Sequence, residues 1–214
     1  MFDISRKFKD VLVLDDVIYP LDLSFDNVLR HLEMLHDERF LPELQPFMAL
    51  KILLKTNTAE EVEAVANLLS QLDIETALEI YKQISDEHII IKSERGEVQE
   101  YDLAGNLIEK ASKQVDDDDE DEEEDKQPLF SLKYDGDYIY SSFLQAYQID
   151  LIEVQGQLHW QKFNALLNSL PSNTKFAEVL KIRAWKPQKD DSSEYINKMR
   201  ELQEEYALPN EIDY

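Results

Sequence analysis

The side chains with the widest chemical repertoire are four histidines, His31, His36, His88 and His159. His31 and His36 lie five residues apart in a stretch of helical periodicity. That spacing puts them on different faces, whereas paired zinc ligands sit four apart on one face. They read as surface or partly buried imidazoles. Asp135-Gly136-Asp137 brings two carboxylates together, but a hard cation needs more oxygen ligands, and the twelve-residue calcium-loop pattern is absent. The tripeptide reads as a loop and helix cap. With no cysteine there is no thiol nucleophile, disulfide or zinc ribbon. A Gly-x-Ser-x-Gly elbow and a glycine-rich phosphate loop are both missing. Carboxylate pairs are unavoidable among 46 acidic residues and carry no information about acid–base catalysis. The expectation is a protein without catalytic, cofactor-binding or metal-binding residues, one that is not an enzyme and acts by binding another protein.

Aromatic side chains offer the better candidates. Trp160 and Phe163 are three apart and share a helical face with Leu167. Phe143 and Tyr147 lie on the preceding helix, and Trp185 lies near the end of the following one. Core packing accounts for such a cluster. A face left partly open between helices would instead receive an apolar helix from a partner. Phe143, Tyr147, Trp160, Phe163 and Trp185 are therefore the candidate partner-binding residues.

The elements that position them are mainly helical. Val11-Leu12-Val13-Leu14 and Val17-Ile18-Tyr19, separated by Asp15-Asp16, read as a small hairpin. From Ser24, placed to cap the first turn, Phe25, Val28, Leu29, Leu32 and Leu35 recur at helical spacing. A second helix starts at Pro42 and carries Leu44, Phe47, Met48, Leu50 and Leu54. Thr58-Ala59-Glu60-Glu61 has capping-box spacing before Val62, Val65, Ala66, Leu69 and Leu72. A short helix with Leu78, Tyr81 and Ile84 follows. The β-branched run His88 to Ile91 and the turn pair Gly105-Asn106 suggest a second small hairpin before residue 108.

Beyond the acidic run, Ile139 to Tyr147, Leu158 to Leu170, Phe176 to Trp185 and Ile196 to Tyr206 each carry a helical apolar pattern. Asn173 or Thr174 is placed to cap the third of these. The fold class is mainly α, with two helical halves joined by an acidic disordered linker and one or two small β-hairpins. The corresponding division is 1–111, an N-terminal helical domain with a hairpin lead-in; 112–127, the acidic linker; and 128–214, a C-terminal helical domain.

Charge narrows the partners. The formal net charge is −24, and ten of the negative charges form the unbroken run Asp116 to Asp125, which leaves −14 on the rest. Such a chain repels nucleic acid and anionic membranes, and it favours solubility and basic partners. The run itself repels its own ordering. Met1-Phe2-Asp3-Ile4-Ser5-Arg6-Lys7 lacks the apolar core of a signal peptide, and no apolar stretch approaches the ~20 residues of a membrane span. A cytoplasmic location is expected.

From residue 129 onward the sequence resembles a known family. The phrases are Ile139-Tyr140-Ser141-Ser142-Phe143-Leu144-Gln145-Ala146-Tyr147-Gln148-Ile149-Asp150-Leu151, then Leu158-His159-Trp160-Gln161-Lys162-Phe163-Asn164-Ala165-Leu166-Leu167, then Lys181-Ile182-Arg183 and Tyr206-Ala207-Leu208-Pro209. They resemble the "gene product fifteen" family of tailed bacteriophages infecting Gram-positive hosts. Val11 to Leu35 match it more loosely. The family often has a second Trp where this chain has Gln161 and an Arg where it has Asn164.

The resemblance implies a tail assembly chaperone that acts on the tape-measure protein in the host cytoplasm, and the aromatic and aliphatic surface of residues 130–185 is where binding is expected. The major tail protein is a further candidate partner, and a homo-oligomer is left open. Two rival readings are a structural tail component retained in the virion and an acidic DNA mimic that blocks a host protein.

Overall fold

The computed structural model describes residues 5–37, 39–92, 98–101, 107–108 and 129–209. Eight α-helices dominate these residues: α1 (Phe25–His36), α2 (Gln45–Leu53), α3 (Ala59–Gln71), α4 (Ile74–Ile84), α5 (Gly136–Tyr147), α6 (Trp160–Asn168), α7 (Lys175–Arg183) and α8 (Ser193–Glu205). Strands β1 (Val11–Leu14) and β2 (Val17–Pro20) pair antiparallel, with Leu14 opposite Val17. The protein is mainly α, as its periodicities indicate. A further antiparallel set, β3 (Ile91–Lys92), β4 (Val98–Tyr101) and β5 (Leu107–Ile108), supplies the second β element. The expected turn at Gly105-Asn106 and the linker at 112–127 lie outside the described residues.

Local chemistry explains several boundaries. Asp15 and Asp16 both have positive φ, 47° and 64°, as a two-residue hairpin turn of the primed type requires. Aspartate tolerates that region better than most side chains, so no glycine is needed. Thr58 and Glu61 form the expected capping box. Thr58 Oγ1 accepts from Glu61 N at 3.2 Å, and Glu61 Oε2 accepts from Thr58 N at 3.0 Å.

Other local expectations are corrected. Ser24 occupies the N-cap of α1, but its hydroxyl donates to Asp22 Oδ1 at 2.8 Å instead of capping the helix. Pro42 opens a single 3₁₀ turn, and α2 begins only at Gln45. His88 and Ile89 are not extended: α4 runs on into a π-helical turn at Ser85–Ile89, which leaves only Ile91 and Lys92 in a strand. Thr174 occupies the N-cap of α7 as expected, but its Oγ1 donates to Pro171 O at 2.7 Å and accepts no bond from the helix.

Helices from before and after residues 112–127 bury their apolar faces in one core. Leu21, Val28, Leu50, Leu53 and Ile84 come from the first half, and Ile139, Phe143, Trp160, Phe163 and Phe176 from the second. Helices α1 and α6 start side by side. Phe25 N donates to Leu158 O at 2.9 Å and Trp160 N donates to Leu23 O at 2.8 Å, so Ser24 and His159 form a short antiparallel bridge. Gly156, at φ +70°, donates its N–H to Asp26 Oδ1 at 2.7 Å. A side chain there would strain the turn that presents this donor.

Candidate functional site

Phe163 sits at the centre of an aromatic stack. Its ring lies 4.9 Å from Phe25, 5.2 Å from Phe143 and 5.8 Å from Trp160, all at interplanar angles of 13–17°. Trp160 and Phe143 are fully buried and Phe163 is 1% exposed. The Trp160 indole N–H donates to Ile89 O at 3.0 Å, which ties α6 to the π-helical turn. The reading of Phe143, Trp160 and Phe163 as an open partner face is therefore corrected. These rings stack on one another and hold the two halves together.

Asn164, one of the departures from the family phrase, is 1% exposed and donates from Nδ2 to Trp160 O at 3.0 Å. A larger Arg could not occupy that position without moving its surroundings.

Tyr147 and Trp185 are half-buried. Trp185 follows the end of α7 and meets Tyr195 of α8 edge-on at 5.8 Å, a contact that helps to seat the terminal helix. Tyr147 belongs to a different surface. On α5 the positions Ile139 and Phe143 point into the core, while Tyr140, Leu144 and Tyr147 recur four and three apart on the adjoining stripe, with Leu144 exposed and the two tyrosines half-buried at the edge of the core. Leu144 is 45% exposed, and Ile152 in the turns after α5 is 65% exposed.

Two hydroxyl bonds fix this stripe. Tyr140 Oη donates to Asp150 Oδ2 at 3.0 Å, and Tyr147 Oη donates to Leu166 O at 2.9 Å. Asp150 Oδ1 accepts from Ile152 N at 2.9 Å, which brings Ile152 into the neighbourhood of Tyr140. The Asp150 carboxylate on Tyr140 Oη, aided by burial, raises that phenol above its ordinary pKa; burial raises Tyr147. Partial burial opposes ionisation of Asp150, but the bonds from Tyr140 and from the N–H groups of Ile152 and Glu153 hold it below the usual carboxylate range. The phenols stay protonated and the carboxylate charged at neutral pH. The result is an apolar ridge, Tyr140–Leu144–Tyr147 with Ile152, bordered by Asp150 and Glu153.

Tyr147 was legible as a candidate, whereas Tyr140, Leu144 and Ile152 were not singled out. The signal was present in α5, which carries more apolar residues than one buried stripe can absorb. A second apolar feature stands on α4, where Ile74 and Leu78, four apart, are 50% and 36% exposed.

Asp135, His31 and His159 all make structural contacts. Asp135 lies at the start of α5, yet its carboxylate makes no cap bond. Instead it accepts two bonds from Arg183, at 2.7 and 2.8 Å, and one from Ser131 N at 2.9 Å. His31 is 1% exposed, with Nε2 3.2 Å from Tyr81 Oη and no hydrogen-bond partner for Nδ1. His159 accepts from Gln161 N at the start of α6 and pairs with Asp10 at 3.2 Å. Among the described residues no group of three or more acidic or histidine side chains is placed to hold a metal ion. A cleft of about 360 Å³ lies between Asp22, Asn27, Arg30, Lys51 and Lys55. It is polar and open.

A family model described as Bacteriophage Gp15 protein matches residues 8–208, and the chain belongs to that bacteriophage family. No curated protein and no solved structure matches it. No helix among the described residues is long and apolar enough to cross a membrane.

Proposed function

We propose that this chain is a phage tail assembly chaperone that binds the tape-measure protein and keeps it soluble while the tail tube is built. The observation that carries this reading is the exposed pair Leu144 and Ile152, flanked by the half-buried rings of Tyr140 and Tyr147, on an otherwise acidic helical body. It replaces the buried stack as the binding surface within residues 130–185. Membership of a bacteriophage family supplies the setting.

A tape-measure protein is long and rich in helix, and before assembly its apolar stripes are uncovered. An apolar stripe laid along the ridge loses contact with water, at roughly 1.5–3 kcal/mol for each fully buried large side chain. The acidic body then faces outward and repels other coated rods. Few anchors make each contact weak, so the chaperone leaves as tail-tube subunits polymerise. Several copies along one rod supply avidity without a tight single site.

Co-expression with the tape-measure protein tests the reading. The tape measure is expected to become soluble and to co-elute with multiple copies of this chain, and purified virions are expected to lack it. An insoluble tape measure together with this chain in the finished particle would instead make it a structural tail component.

A further inference from the structure

The β1–β2 hairpin has one edge closed at its Pro20 end and one open edge. Leu21 N donates to Asp10 O at 2.8 Å, so in the alternating antiparallel ladder Leu12 and Leu14 turn their backbone groups toward β2. The N–H and C=O groups of Val11 and Val13 consequently point away from it. On the far side of β2, Pro20 has no N–H, and its carbonyl accepts from Lys55 N at 2.8 Å. Leu21 also bridges to Leu54 there. That edge is closed at its Pro20 end, where proline and the Lys55 bond stop further pairing and leave only Ile18 turned outward, whereas β1 carries neither a proline nor a neighbour among the described residues.

The open strand is apolar on its outer face. Val11, Val13 and Ile18 are 37%, 54% and 64% exposed, and Val13 lies directly opposite Ile18. A two-stranded hairpin is marginal in water and gains from added strands.

Charge indicates which strand fits. Arg6, Lys7 and Lys9 precede β1, while Asp15 and Asp16 follow it, and all five side chains are exposed. A copy of the same strand laid antiparallel puts the basic start of one against the acidic end of the other. With Leu12 opposite its own counterpart, Val11 faces Val13 and Lys9 faces Asp15, twice over. In that register Val11 and Val13 are the hydrogen-bonding pair, and their free groups already point outward. Inward residues stay opposite inward ones, and outward opposite outward. A parallel copy would set like charges side by side.

We infer that β1 is a self-association edge. Two copies of this chain join through antiparallel β1–β1 pairing into a four-stranded sheet of order β2-β1-β1-β2, with Val11 opposite Val13 and Lys9 opposite Asp15. The interface is isologous, as a two-fold dimer requires. It does not depend on the chaperone reading.

Sedimentation velocity of the full chain over a wide concentration range tests it, and a reversible monomer–dimer equilibrium is expected. Val13→Pro removes one outward N–H while leaving the β2 ladder intact, and it should weaken dimerisation at least tenfold with unchanged helical circular dichroism. Lys9→Glu lies outside the ladder and should weaken it as well, which keeps the test informative if the proline variant fails to fold. Because the chain has no cysteine, register can be read by oxidation. A mixture of Val11→Cys and Val13→Cys chains should trap far more disulfide dimer than either variant alone, since paired Cα atoms lie about 5.5 Å apart, within disulfide range. A chain that remains monomeric at every concentration, substitutions without effect on the equilibrium, or equal trapping in all mixtures would overturn the inference.

Discussion

Arg183 closes a two-pronged ion pair on Asp135, 48 residues earlier, at 2.7 and 2.8 Å, with Asp135 almost fully buried. The same guanidinium donates to Leu129 O at 3.1 Å and to Tyr206 O at 2.7 Å. One side chain thus joins the entry to α5, the end of α7 and the end of α8. The terminal helix has no fully buried residue and depends on such latches, including Gln203 Nε2 donating to the carbonyls of Ile182, Arg183 and Trp185. Arg183→Ala leaves a buried carboxylate unpaired and should cost about 3–5 kcal/mol in urea unfolding. Combining it with Asp135→Asn should recover part of that loss, because the stranded charge is gone.

His31 gives the protein a pH dependence of known sign. Burial lowers its pKa from 6.5 to about 4. The unfolded chain therefore takes up a proton before the folded one does. Stability from this group is complete above pH 6.5 and falls as pH drops toward 4. Between pH 7 and pH 5 the loss should be about 2 kcal/mol. His31→Gln should remove that portion of the pH dependence, and parallel urea titrations of the two proteins at both pH values would measure it.

The aromatic stack and the ridge should respond oppositely to substitution. Phe163→Ala deletes the ring that Phe25, Phe143 and Trp160 all contact, and it should destabilise the fold by about 3–5 kcal/mol. Leu144→Asp changes a side chain that is nearly half exposed and should leave the melting temperature within a few degrees of the parent. Thermal melts of the two variants side by side distinguish core from surface.

A shared core makes the two halves cohere without a continuous backbone. A protease site inserted within 112–127 and then cleaved should leave both fragments together in size-exclusion chromatography under native conditions. The Trp160–Ile89 bond and the Phe25–Phe163 contact cross between them. Separation of the fragments without denaturant would show that the joint core is too weak to hold them.

What the sequence disclosed follows the range of the interactions. The Thr58–Glu61 capping box and the Asp15-Asp16 turn involve residues three or fewer apart, and their chemistry can be read in place. Helix identity in α1 and α5 followed from the apolar period. Which stripe of α5 faces inward was not readable, because Tyr140, Leu144 and Tyr147 repeat with the same helical spacing as Ile139 and Phe143. The positions of α6 and α7 decide between them, with Phe163 against Phe143 and Phe176 N donating to Ser142 Oγ at 3.0 Å. Arg183 gave no sign of its partner, since nothing local to residue 183 points to residue 135. The π-helical turn at Ser85–Ile89 likewise overrides the β preference of a branched run, because Ile89 and its carbonyl are held by the core and by Trp160.

The most direct test of the proposed binding ridge is the affinity of the folded chain for soluble segments of the tape-measure protein, with Leu144→Asp compared to the parent. A parent that binds in the micromolar range and a folded variant at least tenfold weaker are the predicted results. Equal affinity in both proteins, or no binding by the parent at any concentration, would contradict the account.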